Sequence, residues 1–170
     1  MKRIILRIIF LILLCLTFFV IFDFSAQTGQ ESSSLSSEVT RILIDIFPYT
    51  KNLDVETKEN FIEQGEVIVR KLAHLTIYTL VGIFIMSFMC TFNIKLKVQF
   101  GTSLLVGLIY AITDEIHQSF VPERGPSVTD VFIDLCGVLL GICVVILIIT
   151  IYNKIRKGCD DKSKVSDSHV

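Results

Sequence analysis

Ionisable and amide side chains crowd into one stretch, Tyr110–Asp134, where an apolar segment ends, a polar turn follows and another apolar segment begins. They are Asp114, Glu115, His117, Gln118, Arg124, Asp130 and Asp134. Upstream, Arg70, Lys71, His74 and Tyr78 form a second group, and Ser25 and Gln27 a third. Histidine beside carboxylates is the material of general acid–base chemistry, because neighbouring charge and partial burial move proton affinities toward neutrality. The same donors could instead hold a divalent metal. Arginine and lysine beside tyrosine suit an anionic headgroup or phosphate, arginine through paired N–H donors. The remaining use is structural. Arg70, Lys71 and Arg124 nearly balance Asp114, Glu115, Asp130 and Asp134, and an ion-paired network of this kind fixes helix packing.

No motif selects among these uses. There is no HExxH, and no helix carries two histidines four apart. A histidine at a helix mouth is more often the hydrogen-bonding partner of a carboxylate than a metal ligand, so no metal or cofactor is assigned. Ser25, Ser119 and Ser127 lack a GxSxG elbow. The candidate catalytic groups are therefore His74, Asp114, Glu115, His117, Asp130 and Asp134, without assigned roles. Binding of an anionic ligand ranks first, a purely structural role second and catalysis third.

The elements that must position these groups are apolar. In 170 residues 52% are hydrophobic, and the mean hydropathy of +0.66 excludes an ordinary soluble domain. Ile4–Phe22, Val67–Cys90, Val98–Phe120 and Val128–Tyr152 are each long enough to cross a bilayer, which takes about 20 helical residues. The first follows a basic start, Lys2, Arg3 and Arg7, as a signal peptide would. Its apolar run exceeds the usual 7–15 residues or so, and no A-x-A site follows, so it reads as a retained anchor. The expectation is an all-α, polytopic membrane protein with four transmembrane helices over residues 1–152 and a polar, irregular tail over 153–170. A net charge of −1 gives no support to nucleic-acid binding. The five cysteines, Cys15, Cys90, Cys136, Cys143 and Cys159, show no metal-type spacing, and no disulfide is expected.

Between the first two segments, 25–37 reads as a flexible, serine-rich exit. Residues 38–47 place Val39, Ile42, Leu43, Ile46 and Phe47 at helical spacing opposite Arg41 and Asp45. This predicts an amphipathic helix, ended by Pro48, that lies on the outer membrane surface or packs on the bundle. Residues 54–65 read as a solvated helix leading into the second span.

Lysine and arginine favour the cytoplasmic side. Lys2, Arg3, Arg7, Lys95, Lys97, Lys154, Arg156, Lys157, Lys162 and Lys164 fall on one side; Arg41, Lys51, Lys58, Arg70, Lys71 and Arg124 fall on the other, over a much longer stretch of chain. Both termini are therefore expected in the cytoplasm, and the polar ends of all four spans converge on the outer leaflet. Helical spacing gives each of the last three spans a polar stripe. Lys71, His74, Tyr78 and Gly82 share one face, Gly107, Tyr110, Asp114 and Gln118 a second, and Asp130, Asp134, Gly137 and Gly141 a third. Such stripes face a bundle interior, because lipid exposure costs about 2.5–3.5 kcal/mol per charge near the midplane. Asp134 is the deepest carboxylate. The Gly137-x-x-x-Gly141 pair invites close helix approach, within the chain first and in a homodimer second. Cys136 and Cys143 read as core filler.

In chain order, Phe24-Ser25-x-Gln27, Arg70-Lys71-x-Ala73-His74 with Tyr78, Asp114-Glu115-x-x-Gln118, Arg124, Asp130, Gly137 and Gly141 resemble the VanZ-like family. These are small bacterial membrane proteins named for a member associated with low-level teicoplanin resistance. The resemblance covers roughly residues 24–27 and 67–141. It implies a cell-envelope setting and a ligand-binding set of Ser25, Gln27, Arg70, Lys71, His74, Tyr78, Asp114, Glu115, Gln118, Arg124, Asp130 and Asp134, but no reaction. At position 134 the family usually has Asn, and this chain adds a carboxylate. Besides membrane lipids, the implied partners are a lipid-linked cell-wall precursor or a lipophilic glycopeptide. The alternative to a binding protein is a membrane-embedded hydrolase or transferase acting on a lipid-linked envelope substrate.

Overall fold

The computed structural model describes residues 1–46 and 54–167, with side chains through Lys157. Its helices are α1 (Lys2–Ser25), α2 (Gly29–Ile46), α3 (Val55–Cys90), α4 (Leu96–Gln118) and α5 (Val128–Asp167), and no strand occurs among the described residues. Four of them, α1, α3, α4 and α5, are long and apolar enough to cross a membrane. Their outward surface is apolar too: Ile5, Leu11, Ile109 and Leu140 are among many exposed large side chains. A soluble protein would bury such residues, whereas a bilayer solvates them.

The core runs along α3, with Tyr78, Val81, Ile85 and Met86 buried against Ala111 of α4 and Val138 and Ile142 of α5. The α3–α5 crossing is close because glycines form it. A Cβ on Gly137 would lie 2.6 Å from the Leu75 carbonyl oxygen, and one on Gly141 would collide with the Thr79 carbonyl. At the opposite end from the polar groups, Arg7 ties α1 to the end of α3. It donates to Thr91 Oγ1 at 3.1 Å and to the Thr91 carbonyl at 3.2 Å, and stacks over the Phe92 ring.

Three expectations need correction. Cys136 and Cys143 are exposed on α5 rather than filling the core. The serine-rich 25–37 stretch is helical except for a short turn, because Thr28 and Glu31 form a reciprocal capping box. Glu31 accepts from the Thr28 N–H and hydroxyl at 2.8 and 2.9 Å, and the Glu31 N–H donates to Thr28 Oγ1 at 3.2 Å. The turn after α4 completes the cap: the Gly29 N–H donates to the Pro122 carbonyl at 3.2 Å and the Gln30 N–H to Glu123 at 3.1 Å. Beyond Asn153, α5 continues to Asp167. No proline interrupts 153–167.

Segments 54–65 and 67–90 join as one 36-residue helix, α3, started by Asp54, which accepts from the Thr57 N–H at 3.0 Å. Gly65 lets Thr40 of α2 sit against α3. The amphipathic helix combines features of both expected placements. It packs on α3 through buried Ser36 and Thr40 and the Arg41–Glu59 and Lys58–Asp45 pairs. Its apolar face, Leu35, Val39, Ile42, Leu43 and Ile46, stays exposed. Phe47 and Pro48 lie outside the described residues.

Candidate functional site

The four spans bring Ser25, Tyr78, Asp114, Gln118, His74 and Asp134 into one cluster at a common end of the bundle. Its centre is Asp114. Ser25 Oγ donates to Asp114 Oδ1 at 2.5 Å, Tyr78 OH to Oδ2 at 3.0 Å and Gln118 Nε2 to Oδ2 at 3.3 Å. Gln118 also donates to Ser25 Oγ at 3.2 Å. Ser25, Tyr78, Asp114 and Gln118 are all buried. Next to them, His74 Nδ1 lies 3.2 Å from Asp134 Oδ1. Asp134 is fully buried, and its Oδ2 has no hydrogen-bond partner. One donor atom each from His74, Asp114 and Asp134 lie within 4.8 Å of one another.

This cluster borders a cavity of about 600 Å³ between α1, α2 and α3. Ile21, Phe24, Leu35, Val39, Leu72 and Ile77 supply apolar walls; Ser25, Gln27, Arg70, His74, Tyr78 and Arg124 supply polar groups. Phe24, Leu35, Val39 and Leu72 are exposed, so the cavity opens on that flank. The two arginines are placed differently. Arg70 pairs with Glu66 at 2.7 Å and donates to Ser33 at 2.9 Å, yet its buried Nε–H has no partner. Arg124 forms no ion pair among the described residues and reaches only the Ser25 carbonyl, at 3.5 Å. Burial and then the nearby Arg70 hold the Arg124 guanidinium below its ordinary value.

Other candidates are built elsewhere. Lys71 is exposed and does not line the cavity. Glu115 accepts the Ser127 N–H at 2.7 Å, serving the start of α5, while its buried Oε1 has no partner. Asp130 is half-buried in the first turn of α5, where Ser127 Oγ accepts its backbone N–H at 3.2 Å. His117 stacks on Phe22 with centroids 4.6 Å apart and is not part of the His74 cluster. Tyr110 stacks on Phe18 and donates to its carbonyl at 2.8 Å, bracing α4 on α1. Ser33, Leu35, Val39 and Glu66 were not expected near the site. The T-x-x-E spacing of Thr28 and Glu31 is the sequence signal that places α2, and with it the first three.

Chemically, the cluster can hold and orient an imidazole on a buried carboxylate, as an acid–base pair does. The cavity can take an apolar chain with an anion at one end. A family model described as VanZ/LLP1 matches residues 10–150. No curated protein and no solved structure matches the chain.

Proposed function

The chain belongs to the VanZ/LLP1 family, and from that premise we propose that this multi-pass membrane protein binds an anionic, lipid-anchored ligand of the cell envelope. The observation that carries the reading is the pairing of Arg70 and Arg124 at one apolar-walled cavity. An unpartnered buried Nε–H and a guanidinium without a carboxylate are donors that a phosphate satisfies, through short charge-assisted bonds. The exposed apolar flank gives a lipid tail a path from the membrane plane. With both termini in the cytoplasm, the cavity faces the outer leaflet, where a lipid-linked cell-wall precursor or a lipophilic glycopeptide would meet it. A contribution to teicoplanin resistance follows from such binding.

The test uses purified protein in lipid nanodiscs, with retention of a polyprenyl phosphate compared against the uncharged polyprenol. Retention should favour the phosphate, and Arg124→Ala should weaken it about tenfold, the worth of a charged hydrogen bond. Equal retention of both lipids would sink the reading. A glycopeptide susceptibility assay on the same variants, normalised to protein level, tests the resistance link.

One observation favours a second reading, catalysis. His74 lines the cavity and its Nδ1 faces a fully buried carboxylate, which leaves Nε2 as the nitrogen for a substrate. A new product in mass spectra after incubation with a lipid-linked precursor would support it; stoichiometric retention without product would exclude it.

A further inference from the structure

We propose that His74, Asp114 and Asp134 form a binding site for a divalent transition-metal ion beside the cavity. The three residues come from α3, α4 and α5, each offering one donor atom within 4.8 Å of the others. Ligand atoms that share one ion at about 2.1 Å stand roughly 3.0–4.2 Å apart, depending on the angle at the metal. The 3.2 Å between His74 Nδ1 and Asp134 Oδ1 falls inside that range, and with every separation within 4.8 Å no pair exceeds its upper end by more than about 0.6 Å.

A second, independent observation is the orphan oxygen. Asp134 is fully buried and its Oδ2 meets no donor. Buried carboxylates keep their charge only when paired or when they coordinate a cation. No arginine or lysine pairs with Asp114 or Asp134 among the described residues. Two carboxylates and one imidazole thus leave negative charge that a divalent ion balances.

The surroundings of Asp114 suit the same role. Its oxygens accept from Ser25, Tyr78 and Gln118, and a carboxylate has about four lone-pair positions, so one remains free. Metal-ligating carboxylates are usually oriented by hydrogen bonds of this kind. One imidazole and two carboxylates suit Zn²⁺ or Mn²⁺ better than Mg²⁺ or Ca²⁺, which favour oxygen-only sets. Three protein ligands leave coordination positions open to an incoming oxygen atom. That the oxygen comes from the anion held by Arg70 and Arg124 rests on the proposed ligand; ion binding itself does not.

The experiment uses the full chain in nanodiscs, stripped with chelator, desalted and titrated separately with Mn²⁺ and Zn²⁺. Bound metal is measured by elemental analysis, Mn²⁺ binding by loss of its free-ion paramagnetic resonance signal, and thermal unfolding in parallel. A single ion should be retained per chain with a raised Tm, and His74→Ala and Asp134→Asn should each weaken binding by at least about tenfold. The Asp134→Asn chain keeps its side-chain shape, so its Tm without metal checks folding while its metal response is lost. If that variant does not fold, reversal of the wild-type Tm shift by chelator decides. No retained metal, no shift, or equal binding by a folded Asp134→Asn chain overturns the site in favour of a metal-free His74–Asp134 pair. Polyprenyl phosphate retention is measured with and without chelator. Retention by a chain that takes up no added metal overturns the metal site and spares the ligand reading; bound metal without retention does the reverse.

Discussion

Asp114 collects donors from three helices, with Ser25 on α1, Tyr78 on α3 and Gln118 on its own α4. Because all are buried, removing one donor leaves an acceptor short of a protein partner. Tyr78→Phe preserves the ring and deletes only the hydroxyl, so it should cost about 1–3 kcal/mol, read as a lower Tm in nanodiscs. Ser25→Ala should cost a similar amount, since it also removes one of the two acceptors of the Gln118 amide. If both variants melt like wild type, the carboxylate is not held as described. The sequence stripes place His74, Tyr78, Asp114, Gln118 and Asp134 on inward faces, and the structure puts them there. Period 3.6 names a face but neither its neighbour nor its depth. That is why Lys71, on the same stripe as His74, ends exposed one turn further out, and why Glu115 and His117, adjacent to the stripe, serve the α5 start and a Phe22 stack instead.

Among the elements, α2 was the least legible. Serine has poor helix propensity in water because its hydroxyl competes for backbone groups, so a serine-rich run reads as a loop. Here Ser36 and Thr40 bond back to the carbonyls of Ser32 and Ser36, and their small size lets α2 lie on α3 beside Gly65. The start of α2 should respond to pH. The Thr28 N–H and hydroxyl hold the Glu31 carboxyl below its ordinary 4.5. A depressed carboxyl stabilises the folded form above its unfolded value, and that contribution is lost as pH falls through the lowered one. A spin label introduced by Ser34→Cys in a cysteine-free chain should therefore grow more mobile on acidification below about 4.5, and Glu31→Ala should make it mobile at neutral pH already. Equal mobility of both chains at every pH would show that the capping box does not hold α2. The α3–α5 crossing was legible as a small-xxx-small pair, though its partner helix was not. Gly141→Val should clash with the Thr79 carbonyl and cost about 1–3 kcal/mol or more from overpacking, measured as a lower Tm. A Val variant as stable as wild type would mean that α5 is not seated there.

For the whole molecule, hydropathy made four spans legible because lipid-facing surface is written directly in side-chain type, and the described residues include four such helices. Orientation is decided by charge outside the spans, so it must be tested there. Lys2, Arg3 and Arg7 begin α1, Lys95 and Lys97 lie at the α3–α4 turn, and Lys154, Arg156 and Lys157 end the apolar part of α5. The Arg7–Thr91 contact shows that the first two of these groups share one end of the bundle. About 18 residues further along α1, or roughly 27 Å at 1.5 Å per residue, Ser25 meets Asp114 at the other end. The positive-inside bias therefore predicts that the whole cluster, with the 119–127 turn, faces outward. Gly125 is the position to label, since an added side chain there meets nothing within 4 Å. In a chain with its native cysteines replaced, Gly125→Cys should react with a membrane-impermeant maleimide added to intact cells, and Lys97→Cys only after the membrane is opened. The reverse pattern would turn the cavity toward the cytoplasm, where an outer-leaflet precursor or an external glycopeptide cannot reach Arg70 and Arg124. The cluster geometry would survive that result; the proposed ligand would have to be sought among inner-leaflet anionic lipids.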